Sequence, residues 1–362
     1  MKKAWTILPV AGLWLALAVW CWLRPADPIS KSERRELAQF PALSAETLSD
    51  GSFMEDFESY TLDQFPLRDR FRELKARIHY DLLCQRDNNG IYLVGEQAAK
   101  LEYPLNEASV THAAQVLHKA RTKFFPDSRV FAAVIPDKGY YLAEANGYPA
   151  MDYEKLEQIF RQQLPMTNYV NLSSVLTAED YYATDTHWRQ ECLISAAQTL
   201  CRAMGIPGPE QEQYQIKTVE QPFYGVYYGQ AALPMTPDTL RYLESPRLER
   251  CRVYHYETDS DREVYDLSKL EGDDLYEVFL SGPVSLLTME DPQAQTDREL
   301  IIFRDSFGSS LAPLLLSAYK TVTLVDIRYV NSLFLNQFVD FHGQDVLILY
   351  STTLINGAAI LQ

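Results

Sequence analysis

The sequence has no CxxC pair, no HExxH motif and no zinc-finger spacing among its six histidines (79, 112, 118, 187, 255 and 342), so neither a redox dithiol nor a metal centre of those kinds is written into it. Its five cysteines form no even framework. Cys192 and Cys201, nine residues apart on one expected helix, would stand roughly 13 Å from each other, beyond disulfide reach. Buried free thiols are expected instead. Cations are also scarce: 33 lysines and arginines against 49 aspartates and glutamates give a net charge of -16 and a pI near 4.9. Nucleic acid is thereby excluded as a partner, because binding a polyanion needs a basic face that displaces counterions. The acidic stretches ETDSDRE and EGDD lack the glycine of a calcium loop, and there is no internal repeat or low-complexity tract. No cofactor and no metal is called for.

What is present is apolar mass. A chain of 362 residues that is 47% hydrophobic and 12% aromatic can bury one large core or two ordinary ones. Residues 4–23, AWTILPVAGLWLALAVWCWL, carry no charge and would span about 30 Å as a helix, the thickness of a hydrocarbon layer. The small-x-small tripeptide Ala16-Leu17-Ala18 falls inside this run with five apolar residues still to come, which favours an uncleaved anchor over a signal peptide. Trp20 is too bulky to precede a lipoprotein cysteine at Cys21. Lys2 and Lys3 precede the run, and Arg24, Lys31, Arg34 and Arg35 follow it, so a bare charge count would keep the large domain inside. Short tails with two lysines commonly stay cytoplasmic and large following domains are exported despite flanking charge. The expected topology is therefore a cytoplasmic tail at 1–3, a single-pass cell-membrane anchor at 4–23, and a large extracytoplasmic domain.

A linker and a helical segment fill residues 24–100, with apolar residues at helical steps (Phe53, Phe57, Tyr60; then Phe71, Leu74, Ile78) on either side of a break at Pro66. From 101 to 362 helices alternate with short apolar strands such as RVFAAVIP, ELIIF, TVTLVDI and DVLILYS. The pattern predicts an α/β fold, a three-layer sandwich of flavodoxin type around a mostly parallel sheet, with an irregular insertion at about 205–297. Such sheets carry their sites at the carboxyl ends of strands.

Two stretches have the residue types for acyl chemistry. In ELIIFRDSFGSS, Ser306 follows a buried strand at the turn into a helix, where its hydroxyl can project and backbone N–H groups can hold an oxyanion. The competing reading is that Asp305, Ser306 or Ser309 only caps that helix. In YYATDTHWRQECL, Thr184, Asp185 or Thr186 can cap a helix HWRQECLISAAQTL. In an extended turn, however, Asp185 and His187 share a face, so that the carboxylate can orient an imidazole whose other nitrogen takes a proton from a distant serine.

Taken in order, SERRELAQFP, DGSFMEDFESYTLDQFPLRDRF, TDTHW, FYGVYY, YEVFLSGP, RDSFGSSLAPLL and TLVDIRY resemble the extracellular SGNH-hydrolase-like family that includes the alginate O-acetyltransferase proteins. The likeness is greatest to the relatives named for an Asp-His-His-Trp motif. That resemblance implies a catalytic triad of Asp185, His187 and Ser306. It further implies an O-acetyltransferase acting on a cell-wall or secreted polysaccharide beside a multi-pass membrane acyltransferase as donor. A carbohydrate esterase with the same triad, or a non-catalytic polysaccharide-binding scaffold, are the alternatives. Thr186 stands where the motif has its first histidine, as in the alginate-type members. Arg304 replaces the glycine of the Gly-Asp-Ser block, and no Gly-x-Asn-Asp block is present. Lys138, Arg328 and Tyr227 are candidates for lining the substrate groove, with an ion pair or a packed ring as the equal reading; Trp188 could stack on a sugar, but a core tryptophan that fixes the histidine loop is the better reading.

Overall fold

The computed structural model describes residues 4–30, 32–358 and 361 and divides into two units, residues 1–89 with 228–235, and residues 90–227 with 236–362. The tail assigned to residues 1–3 lies outside the described residues.

In the first unit the apolar run forms helix α1 (Ala4–Leu23), and the two amphipathic stretches form α2 (Ser52–Asp63) and α3 (Arg68–Arg77). Pro66 separates α2 from α3, with Leu67 in the left-handed region, φ 60°, as the residue that turns the chain. Among the described residues no helix is long and apolar enough to cross a membrane. Phe40 packs edge-on against Phe53, Phe57 and Tyr60 of α2, at ring separations of 5.4 to 6.4 Å. An ion-pair lattice closes the other side: Arg35 on Asp63 at 2.6 Å, Arg72 on Glu33 at 3.1 Å, and Arg68 also on Glu33. Residues 228–235 are held in this unit by Arg72, which donates to the Gly229 carbonyl at 2.7 Å, and by Asn88, which donates to the Ala231 carbonyl at 2.8 Å.

The second unit is built on eight strands: β1 (Val130–Ile135), β2 (Asn168–Tyr169), β3 (Arg252–His255), β4 (Ser260–Arg262), β5 (Leu286–Glu290), β6 (Glu299–Arg304), β7 (Thr321–Val325) and β8 (Asp345–Ser351). Their order across the sheet is β4-β3-β5-β7-β6-β8-β1-β2. From β7 to β2 all neighbours run parallel, and β5, β3 and β4 extend the sheet antiparallel. Side chains divide by strand periodicity. Leu300, Ile302, Leu347 and Leu349 face one way, onto Leu311 and Leu315 of α7 (Phe307–Leu315) and Leu200 of α6 (Ile194–Met204). Ile301, Phe303, Val346 and Ile348 face the other, onto Leu117 of α4 (Glu107–Phe124) and Phe160 of α5 (Tyr153–Gln163). Covered on both faces, these strands tolerate the continuous apolar runs seen in the sequence.

The stretch 205–297, expected as an insertion with some strands, joins the sheet. It supplies β3, β4 and β5, and the acidic cluster ETDSDRE is the exposed turn of the β3–β4 hairpin, with Asp259 at φ 48°. It also contributes a second hairpin, Gln215–Phe223 with Asp238–Glu244. Polar residues on turns and edge strands hid its period. All five cysteines are unpaired, and Cys192 lies on a short turn before α6, not on the helix that carries Cys201.

Strand β6 lies between β8 on one side and β7 on the other. The chain leaves β6 over one face through α7 to reach β7, then returns by the opposite face to β8. The carboxyl end of β6 is therefore a point where the winding reverses, the place where an open α/β sheet forms a crevice.

Candidate active site

Ser306 stands at that end, between β6 and α7, with φ -58° and ψ -26° and no capping bond from its side chain. The helix start is satisfied otherwise: Asp305 accepts from Phe307 N–H at 3.1 Å through one carboxylate oxygen and from Ser351 N–H, at the end of β8, at 2.8 Å through the other. Burial pushes the Asp305 carboxyl above the ordinary carboxylate range, and the Ser351 bonds oppose that. Among the described residues the Ser306 N–H has no hydrogen-bond partner.

The second stretch is not a helix cap. The helix expected from His187 starts at Ile194, and residues 182–187 form a closed loop. The loop is pinched by a bridge between Tyr181 and Trp188 and by Tyr182 N–H donating to the His187 carbonyl at 3.1 Å. Asp185, fully buried, turns its carboxylate inward. One oxygen accepts from His187 N–H at 3.0 Å and lies 2.7 Å from His187 Nδ1; the other accepts from Val226 N–H at 2.8 Å. With the proton on Nδ1 facing the carboxylate, Nε2 is left as an acceptor, 2.7 Å from Ser306 Oγ. Asp185, His187 and Ser306 thus stand in line, although His187 and Ser306 are 119 residues apart in sequence.

Two further sets of bonds hold this line. Asp238 accepts from Ala183 N–H, Thr184 N–H and the Thr184 hydroxyl at 2.8, 2.7 and 2.6 Å, fixing the start of the loop. The Thr184 hydroxyl in turn accepts from Gly225 N–H at 2.8 Å. On the far side Trp188, with no exposure, donates its indole N–H to the Phe307 carbonyl at 3.2 Å and to Ser310 Oγ at 2.9 Å, while Gln190 donates to the Ser310 carbonyl at 2.8 Å. The histidine loop is therefore tied to the helix that follows the serine. Tyr276 lies flat on the imidazole, ring centres 3.9 Å apart and planes 11° from parallel, and its hydroxyl is bonded to Ser310 at 2.8 Å.

No family model and no curated protein matches the sequence. Among solved structures the chain is similar to a DHHW family protein from Eubacterium siraeum, with 21% identity and a TM-score of 0.60 over 76% of this chain and 97% of that one. The chain has the DHHW-family fold. It is also similar to PatB1 of Bacillus cereus solved with a sulfonyl adduct, 15% identical, TM-score 0.59, covering 73% of this chain and 95% of that one. A looser likeness runs to the O-acetyltransferase domain of Pseudomonas putida AlgJ, 12% identical, TM-score 0.46, covering 74% and 92%.

Within the DHHW fold Lys138, Tyr227, Trp188 and Arg328 all take structural places. Lys138 is 3% exposed, and its Nζ donates to the carbonyls of Tyr182 and Ala183 at 2.8 and 3.1 Å, beneath the Tyr227 ring. It braces the histidine loop from inside. Tyr227 is buried, with its hydroxyl on Thr186 at 3.1 Å, and Trp188 is the core tie described above. Arg328 is mostly buried and committed to Asp326 at 2.6 Å. A long side chain with an apolar stem satisfies buried carbonyls as readily as it meets a ligand, and sequence pattern does not separate the two. Gly225, Val226, Asp238 and Tyr276 were not found from the sequence. The one signal was the glycine set between tyrosines in FYGVYY.

Arg304 is also accounted for. It is completely buried, donates to the Val284 carbonyl at 3.1 Å and lies 3.8 Å from Asp326. Its stem fills the space beside Gly308, where a Cβ would sit 2.6 Å from the Arg304 Cβ.

Proposed function

We propose that this chain is an extracytoplasmic O-acetyltransferase that works on a cell-wall or secreted polysaccharide through an acetyl-serine intermediate. The observation that carries the reading is His187 bridging Asp185 and Ser306 at 2.7 Å on each side, at a sheet's winding reversal. The sulfonyl adduct in PatB1 supports it, since such adducts form on activated nucleophiles.

In the first half-reaction Ser306 Oγ attacks the acetyl carbonyl carbon while its proton passes to His187 Nε2. Asp185 holds the Nδ1 proton and offsets the charge of the imidazolium. The Ser306 N–H, uncommitted at the start of α7, faces the developing oxyanion together with the helix dipole. The tetrahedral intermediate collapses, the bond to the donor breaks, and His187 returns the proton to the leaving group. In the second half a sugar hydroxyl gives its proton to His187 and attacks acetyl-Ser306, yielding the acetylated sugar and free serine. The intact bonds around all three residues favour a catalytic over a decayed site.

The test is pre-steady-state. Full-length protein in detergent, mixed with para-nitrophenyl acetate, is expected to release a stoichiometric burst and to carry an added acetyl group on the Ser306 peptide by mass spectrometry. Ser306→Ala abolishes both. Turnover that rises with added oligosaccharide indicates transfer, turnover indifferent to it indicates hydrolysis, and no burst at all removes the enzyme reading.

A further inference from the structure

A second cleft opens on the same edge of the sheet. It lies at the carboxyl ends of β1 and β2, has a volume of about 240 Å³, and is lined by Tyr140, Tyr153, Tyr169, Glu154, Glu157 and Asn171 among others. We propose that it is a subsite for an uncharged sugar ring of the acceptor polymer, remote from the residue being acetylated; this rests on the reading of the chain as acting on polysaccharide.

Position is the first argument. The cleft includes Pro136 and Thr352, which directly follow β1 and β8. β1, β8 and β6 are adjacent, so Pro136 stands two strand spacings from the line of Ser306, about 10 Å. A short oligosaccharide laid along this edge reaches from one to the other. Rigidity is the second. Asp137, buried, accepts from the Tyr153 hydroxyl at 3.0 and 3.1 Å and from the Thr352 hydroxyl at 2.6 Å, while Ser351, next to Thr352, donates to Asp305 beside the serine. One run of hydrogen bonds therefore fixes a wall of the cleft and the base of the nucleophile turn in a single frame.

Chemistry is the third argument. Tyr140 and Tyr153 meet at 77°, ring centres 5.1 Å apart, and form an aromatic corner. Tyr140 is 42% exposed, so part of its ring is open to the C–H face of a pyranose. The polar lining offers acceptors and an amide to sugar hydroxyls. It contains two carboxylates and no lysine or arginine, and Arg161 is paired with Glu157 at 3.0 Å. A uronate would bring its charge against those carboxylates, in a protein of net charge -16, whereas a neutral or N-acetylated sugar is not repelled.

The experiment uses full-length protein in detergent with chitopentaose as the uncharged probe and pentagalacturonate as the charged one, titrated calorimetrically, alongside the acetyl burst from para-nitrophenyl acetate. Chitopentaose is expected to bind, Tyr140→Ala to weaken it about tenfold, Tyr140→Trp to restore it, and the burst to stay unchanged in both variants. Galacturonate binding as tight as chitopentaose, chitopentaose binding indifferent to Tyr140→Ala, or no chitopentaose binding at all would overturn the subsite while leaving a normal burst and the acetyl-transfer reading intact. Tyr140-dependent binding in a protein that gives no burst would support the subsite and sink acetyl transfer.

Discussion

Gly225 lies so close to Asp185 that a Cβ on residue 225 would fall 2.3 Å from the Asp185 Cβ and 2.4 Å from the Thr184 carbonyl oxygen. The atoms met are the Asp185 Cβ and Cα and the Thr184 carbonyl, none of them the far end of a flexible side chain, so nothing can yield easily. Gly225→Ala is expected to push the carboxylate away from His187 and to slow the acetyl burst about 10²-fold, the cost of misplacing a catalytic group by about an ångström. Asp185→Asn leaves the packing but removes the charge and the tautomer preference, and is expected to cost about 10⁴-fold. Burst rates of the two variants, with thermal melting as a control for folding, check both values. Equal rates in Gly225→Ala and the unsubstituted protein would mean that this contact does not position Asp185.

Tyr276 covers the imidazole, and a ring face attracts the positive charge that His187 gains when it takes the serine proton. Tyr276→Leu is expected to lower the burst rate about tenfold with little effect on KM for the ester, because the interaction strengthens only as charge develops. Tyr276→Phe keeps the ring and loses only the Ser310 bond, so its rate is expected to stay within about twofold. A leucine variant as fast as the phenylalanine one would reduce Tyr276 to packing.

These two relationships mark where sequence reading reaches and where it stops. Ser306 was legible because an apolar strand and the start of a helix bracket it, and Asp185 with His187 because the motif is local. The parallel half of the sheet was legible from apolar runs covered on both faces. Gly225, Val226, Asp238 and Tyr276 lie in a stretch read as irregular, and each reaches the site through a few contacts with residues at least 40 positions away. Such contacts have no period. Lys138 shows a further limit: its type and position at a strand end suit a ligand contact and a structural role equally, and only the two carbonyls above it show that it is a brace.

The Arg304–Gly308 pair gives a test of packing alone. Gly308→Ala would force its methyl against the Arg304 Cβ, Cγ and Cδ at 2.6, 3.1 and 3.3 Å in a site with no exposure. Overpacking of this kind costs about 1–3 kcal/mol. Urea unfolding should show the loss, and a change under about 0.5 kcal/mol, the range of a surface substitution, would mean that the turn relaxes around the methyl.

Lys138 carries a pH dependence whose sign can be worked out. Burial depresses its pKa from 10.5 to about 7, against the opposing pull of Asp185 and Asp238. A neutral amine has two N–H donors, and the two carbonyls of Tyr182 and Ala183 take both. Between about pH 7 and 10.5 the unfolded chain therefore binds a proton at this lysine that the folded chain does not, and stability rises with pH through that window, with a slope of at most about 1.4 kcal/mol per pH unit. Below it the penalty of the buried charge is fully present. Lys138→Met removes the titration and strands the two carbonyls. The stability of the unsubstituted protein relative to Lys138→Met, from urea midpoints, is expected to grow between about pH 7.5 and 9.5, since ionisations common to both cancel. A difference that stays flat or shrinks would mean that Lys138 remains an ammonium ion in the folded protein and that the histidine loop is braced by a charge, in which case Lys138→Arg would be tolerated there.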